Sequence, residues 1–112
     1  MKDTITWQDF GKIDMRVGTI IDVLDFPEAR NPSYKLHIDF GDEIGVKKTS
    51  AQITEKYKKE DLVGLQVTAV INFPKKQIAN FMSECLILGA VENSSVVILQ
   101  PQMKVPNGLK IS

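Results

Sequence analysis

Apolar and polar positions alternate most cleanly over Tyr34–Phe40, where Leu36, Ile38 and Phe40 fall on one side and Lys35, His37 and Asp39 on the other. A period of two predicts a strand with one buried face. Met15–Val23 is rich in β-branched residues and reads as a long strand, with Gly18 as its candidate bulge or bend. Gly41 and Gly45 flank a turn, and Val46–Ala51 supplies the return strand. Gln66–Phe73 is a further strand ended by Pro74, and Cys85–Val91 and Val96–Leu99 are two more, joined by the turn residues Glu92-Asn93-Ser94-Ser95. Between them, Asp25–Ser33 and Lys75–Ser83 read as loops. Two helices are expected. One is a short N-terminal helix over about residues 6–13, with Thr6 as N-cap and Asp9 near its positive end. The other spans Thr54–Val63 and is stopped by Gly64.

Strands this closely spaced leave no room for the crossover helices of a parallel sheet. The pattern predicts an all-β fold, a five-stranded OB-type barrel with short helices, an N-terminal helix and a C-terminal extension over residues 101–112. A chain of 112 residues suits one domain, 1–112, with a single core. No apolar run approaches the roughly 18 residues of a membrane helix, and the polar opening Met1-Lys2-Asp3-Thr4 has no signal-peptide core, so a cytoplasmic location is expected. The one cysteine, Cys85, cannot form an internal disulfide, and its apolar neighbours Leu86-Ile87-Leu88 favour a buried core position.

Candidate chemistry is sparse. His37 is the only histidine and reads as a solvated strand residue; one His and one Cys cannot build a structural zinc site. The glycines at 11, 18, 41, 45, 64, 89 and 108 are scattered and form no phosphate loop. The adjacent pairs Asp42-Glu43 and Glu60-Asp61 read as solvated surface. No catalytic residues, metal or cofactor are therefore expected, and the chain reads as a binding module rather than an enzyme.

Fourteen basic residues balance fourteen acidic ones, so attraction for a polyanion requires local segregation of charge. The pairs Lys47-Lys48 and Lys75-Lys76 provide it, with Arg30 in the first long loop and Lys35 on a polar strand face. Phe81 and Met82 add apolar groups beside them, serving either as a binding platform or as core. Large apolar residues also lie outside the barrel strands: Trp7 and Phe10 on the terminal helix, and Met103, Val105 and Leu109 on the tail. Either the helix plugs the barrel end of its own subunit, or these groups are buried between two subunits.

Several separated motifs then match one family in order. Asp14-Met15-Arg16-Val17-Gly18-Thr19-Ile20, Phe26-Pro27-Glu28-Ala29-Arg30, Tyr34–Gly41, Leu62-Val63-Gly64 and Ser83–Gly89 resemble the tRNA-binding OB domain found as the C-terminal appendage of methionyl-tRNA synthetases and as free-standing dimers. Lys47–Ile53, Asn72-Phe73-Pro74, Gln77-Ile78, Phe81–Glu84 and Val105–Gly108 are similar to its compact, export-related chaperone branch, CsaA. The resemblance implies a homodimer that works as a secretion-related, ATP-independent chaperone on unfolded or preprotein segments, or alternatively as a tRNA- or structured-RNA-binding module. By position it nominates Lys47, Lys48, Asn72, Phe73, Gln77, Phe81, Met82, Ser83 and Glu84 for the binding surface, with Arg30 and Lys35 beside them. Three departures stand out: Cys85 where a glycine is usual, Ser50-Ala51 where Ser-Gly is frequent, and a neutral rather than basic chain.

Overall fold

The computed structural model describes residues 1–112. At the N-terminus a capping box builds helix α1 (Trp7–Gly11): the Asp9 N–H donates to Thr6 Oγ1 at 3.1 Å and the Thr6 N–H donates back to the Asp9 carboxylate at 3.2 Å. The Thr6 N–H foremost, and then the Thr6 hydroxyl, hold the Asp9 carboxyl below its ordinary value. The helix is shorter than the expected 6–13, because Lys12 already closes it as C-cap.

Strand β1 (Met15–Asp25) is the axis of the sheet. It pairs antiparallel with β2 (Tyr34–Asp39) along Thr19–Asp25 and with β4 (Gln66–Val70) along Met15–Thr19. β3 (Val46–Ala51) continues beyond β2, and β7 (Leu86–Ile87) continues beyond β4, giving the order β3-β2-β1-β4-β7. The bulge expected at Gly18 lies instead at Ile21, the extra residue between the pairs Ile20↔Ile38 and Asp22↔His37. Gly18 serves a different need. A Cβ there would stand 2.6 Å from Ile38 Cγ2 and 2.8 Å from the Phe40 ring. Its missing side chain makes room for the curled sheet's own core.

Three other expectations are corrected. The helix over 54–63 shrinks to α2 (Lys59–Leu62), because tertiary bonds hold the first half in turns. Tyr34 Oη donates to the Tyr57 carbonyl at 2.8 Å, the Tyr57 hydroxyl accepts the Ile98 N–H at 3.0 Å, and Glu55 accepts the hydroxyls of Ser94 and Ser95. The strand over 66–73 ends at Val70, since the Asn72 side chain turns back to bond the Lys12 carbonyl and the Asp14 N–H. The expected loop 75–83 is a hairpin, β5 (Lys76–Ile78) with β6 (Phe81–Ser83), turned by Ala79 at a φ of 50°. Three residues on each side are too few to register as a period, and no glycine announces the turn.

The run Cys85–Val91 is also divided. Leu88 separates β7 from β8 (Gly89–Glu92), giving its N–H to Thr68 and its carbonyl to Leu99. β8 then forms a hairpin with β9 (Ser95–Ile98). The C-terminal extension is built into the barrel. Gln66 clasps Val105 through both backbone groups, Asn107 Oδ1 accepts the Thr19 hydroxyl at 2.7 Å, and β10 (Lys110–Ile111) pairs with Arg16 and Met15. Ile20, Leu36, Ile38, Phe40, Leu62, Val67 and Ala69 are fully enclosed at the centre, with Cys85 beside them. No helix is long and apolar enough to cross a membrane.

Burial pushes the Cys85 thiol up to about 12. An unfolded chain releases this proton from about pH 9, whereas the native state keeps it, so this contribution to stability is complete below pH 9 and is lost as pH rises toward 12. Urea midpoints measured at pH 8 and 10.5 should therefore fall more for the native sequence than for Cys85→Ala. Gly18→Ala should cost about 1–3 kcal/mol by overpacking, read from the same unfolding curves. Gly11→Ala, with open space around it, should stay within about 0.5 kcal/mol.

Candidate functional site

The outer edge of β3 closes the barrel against the segment Ser83-Glu84-Cys85, and it does so largely through side chains. The Glu84 N–H donates to the Lys48 carbonyl at 2.8 Å, while the Lys48 N–H donates to Glu84 Oε1 at 3.0 Å. The Ser50 N–H donates to Ser83 Oγ at 3.0 Å, and the buried Thr49 hydroxyl donates to the Cys85 carbonyl at 2.7 Å. Lys75 Nζ stands 3.7 Å from the other Glu84 oxygen.

This seam carries a compact cationic and aromatic cluster. Phe26 and Phe81 meet edge to face, with ring centroids 5.6 Å apart. Lys35 Nζ stands 5.0 Å from the Phe26 centroid and 5.7 Å from that of Phe81; Lys48 Nζ stands 5.1 Å from Phe81. Such contacts are worth about 0.5–1 kcal/mol each at exposed sites. Their larger effect is to hold two ammonium groups over one aromatic pair. Phe81, for which the sequence leaves platform and core both open, is buried and so works as the cluster's floor. Phe26 is not among the residues the sequence nominates; the only signal for it is a large apolar residue where β1 gives way to Pro27.

Beside the cluster lies an open groove of about 800 Å³. Ser50, whose cross-strand partner is Lys35, lines it with Thr49 and Ile53. Phe73, Pro74 and Ile78, the loop residues Ala29–Asn31, and Leu86–Gly89, Val91 and Val96 also line it. The structure thus gathers Arg30, Phe73, Lys76 and Ser83 around the groove, and Lys35, Lys48 and Phe81 around the aromatic pair. Arg30 and Lys76 take part in no ion pair; Lys75 is opposed by Glu84. Asn72 anchors the N-terminal connection, Gln77 bonds the Ala79 carbonyl within its own hairpin, Met82 pairs with Gln77, and Lys47 pairs with Ile38. Ser50, Gln52, Ile78 and Leu86 line the groove although nothing local in the sequence nominates them, because only the closure of the barrel brings them together. His37 lies away from the groove lining, its Nδ1 enclosed, unbonded and 3.7 Å from Asp22.

Large apolar side chains are also exposed on the N-terminal helix and on the C-terminal tail. Helix α1 buries none of its own residues, so it does not plug the barrel. Trp7 is 90% exposed, Met103 is 74% exposed, and Phe10 and Leu109 are also open, while Val105 is half-buried under the Gln66 clasp. Ile5, Trp7, Phe10 and Ser112 border a shallow hollow of about 430 Å³.

The family model described as "Putative tRNA binding domain" matches residues 15–110. The fold is similar to the crystal structure of chaperone CsaA from Bacillus anthracis str. Ames, with a TM-score of 0.94 at 51% identity, covering 98% of this chain and 100% of that one. The CsaA chaperone protein from Picrophilus torridus aligns with a TM-score of 0.91 at 55% identity, covering 97% of this chain and 100% of that one. Methionine--tRNA ligase of Nanoarchaeum equitans (strain Kin4-M) is 35% identical over 107 residues, 96% of this chain, and the chain spans only 13% of that ligase's length.

The seam makes a direct prediction. Ser83→Ala leaves the Ser50 N–H without its acceptor and should cost about 1–2 kcal/mol, with faster amide exchange at Ser50 and little change at Leu36. Glu84→Gln keeps an oxygen for the Lys48 N–H and loses only the exposed pairing with Lys75, which should cost under about 1 kcal/mol.

Proposed function

The chain belongs to the tRNA-binding domain family, and on that premise we propose that it is a non-catalytic, ATP-independent chaperone, cytoplasmic and secretion-related, that binds unfolded or preprotein segments as a homodimer. The observation that carries this reading is the groove, whose apolar walls are formed by Phe73, Pro74, Ile78, Leu86 and Val91. Unfolded segments expose apolar side chains that native surfaces hide, and an apolar cleft with a few polar groups is the complement to them. The likeness to two CsaA chaperones over nearly the whole chain supports the same reading. Binding coupled to ATP would need a phosphate cradle, and the seven glycines are scattered.

The homodimer is supported by the exposed apolar side chains Trp7 and Phe10, which border one hollow with Ile5, and by Met103 and Leu109 on the tail, because contact with a second subunit would take such groups out of water. Of the nominees outside the groove and cluster, Asn72, Gln77 and Glu84 spend their polar groups on bonds within the fold and Lys75 is opposed by Glu84, so these four support the surface, while Lys47 and Met82 flank it.

A second reading, tRNA binding, is favoured by one specific observation. Lys35 and Lys48 are held side by side over Phe26 and Phe81, a pre-set pair of cations for phosphate oxygens. On a neutral chain, such local placement is what gives a polyanion a foothold.

One set of measurements separates these roles. The protein should suppress aggregation of a denatured client without nucleotide and bind apolar peptides, and Ile78→Asp should remove both abilities while leaving the fold intact. Failure of the native sequence in both assays would sink the chaperone reading. If tRNA binds, Lys35→Gln/Lys48→Gln should flatten the slope of log affinity against log salt by about two units, one for each phosphate no longer neutralised. In sedimentation, the native protein should run as a dimer and Trp7→Glu as a monomer.

A further inference from the structure

This inference rests on the peptide-binding reading and specifies how the segment is held. Strand β3 ends one side of the sheet, and in an edge strand every second residue turns its N–H and C=O outward. Lys48 and Ser50 belong to that outward set. Their N–H groups are met by side-chain oxygens, Glu84 Oε1 and Ser83 Oγ, in the place where a neighbouring strand would put carbonyls. Only one backbone bond crosses here, from the Glu84 N–H to the Lys48 carbonyl. Past that point the ladder stops. The Ser50 carbonyl receives a single 3.2 Å bond, from the adjacent Thr49 hydroxyl, which is also committed to the Cys85 carbonyl, and the Gln52 N–H has no protein acceptor. Both Ser50 and Gln52 line the groove. The groove is therefore lined by a strand edge with an acceptor and a donor to spare. Its charge is one-sided as well: Arg30 and Lys76 line it without ion-pair partners, and no Asp or Glu does.

We propose that the polypeptide segment binds by strand addition to β3. An extended chain donates one N–H to the Ser50 carbonyl and accepts the Gln52 N–H, lays alternate side chains against Phe73, Ile78 and Leu86, and sets an acidic group toward Arg30 and Lys76. A parallel strand satisfies both backbone groups with one residue, and an antiparallel strand does so with the two residues flanking one position. Because the anchoring groups are main-chain atoms, recognition tolerates many sequences, provided the segment is extended, apolar and anionic at one end. Proline at the donating position is excluded for want of an N–H.

The test is a single N-methyl group moved residue by residue along a fluorescent apolar peptide with one terminal Asp, with binding followed by polarisation. Strand addition predicts a single sensitive position: affinity falls at least tenfold where the methylated amide is the one that donates to the Ser50 carbonyl and stays within about twofold at the positions on either side of it. Arg30→Gln/Lys76→Gln should abolish the preference for Asp over Asn while the single methylation-sensitive position persists. A flat methylation profile with tight binding overturns strand addition and leaves the peptide reading standing. No binding of the unmodified peptide removes that reading itself, and the inference with it. A flat profile together with displacement of the peptide by tRNA assigns the groove to nucleic acid and equally overturns the proposal.

Discussion

Closure of the barrel across the β3 seam is the constraint on which the rest of the molecule depends. Two strands of a closed barrel are normally joined by main-chain ladders, which are insensitive to residue type. Here one main-chain bond is supplemented by Ser83 Oγ, a Glu84 carboxylate oxygen and the Thr49 hydroxyl, each matched to a particular group. The seam is specified residue by residue, and the Cys85 side chain seals the core behind it. An apolar replacement at Thr49 would strip a buried carbonyl of its donor, a loss that packing does not repair.

Everything useful to binding is arranged around that line. The Phe26–Phe81 pair sits at one side of it and fixes Lys35 and Lys48; the groove opens where the seam's backbone pairing runs out. Incomplete pairing is thus not a defect of closure but the source of a surface. A fully laddered barrel would present no free edge, and a fully open sheet would expose a long one to indiscriminate association. This fold leaves a short edge, flanked by cations and recessed in a groove.

The parts of this arrangement legible in the sequence are those with a long, strong period. Tyr34–Phe40 alternates because one face meets the core, and the structure pairs it in register with the return strand Val46–Ala51, from Asp39↔Val46 through Tyr34↔Ala51. Legibility fails where a distant contact overrides local preference. Thr54–Lys58 has helical composition, yet Tyr57 commits its carbonyl to Tyr34 and its hydroxyl to Ile98, so the helix begins only at Lys59. Gly18 looks like a bulge from its neighbours and proves to be a clearance for Ile38 and Phe40, which lie on the neighbouring strand and just beyond its end. For the site, Lys35, Lys48, Phe81, Arg30, Phe73 and Lys76 can be nominated one at a time, but no local pattern distinguishes Lys75, neutralised by Glu84, from Lys76, which has no ion-pair partner. That distinction exists only once the hairpin β5–β6 has folded.

The hydrogen-bonded tail has a further consequence. Gln66, Asn107 and β10 draw residues 105–111 along β1, which brings Ser112 to the same hollow as Ile5 and Trp7. The polypeptide enters and leaves this unit at neighbouring points. Such a unit can be spliced into a surface loop of a host protein, or carried at its end, with little stretching of either connection. Joining residues 5 and 112 by a short linker and reopening the ring elsewhere is, for the same geometric reason, a mild perturbation of this topology.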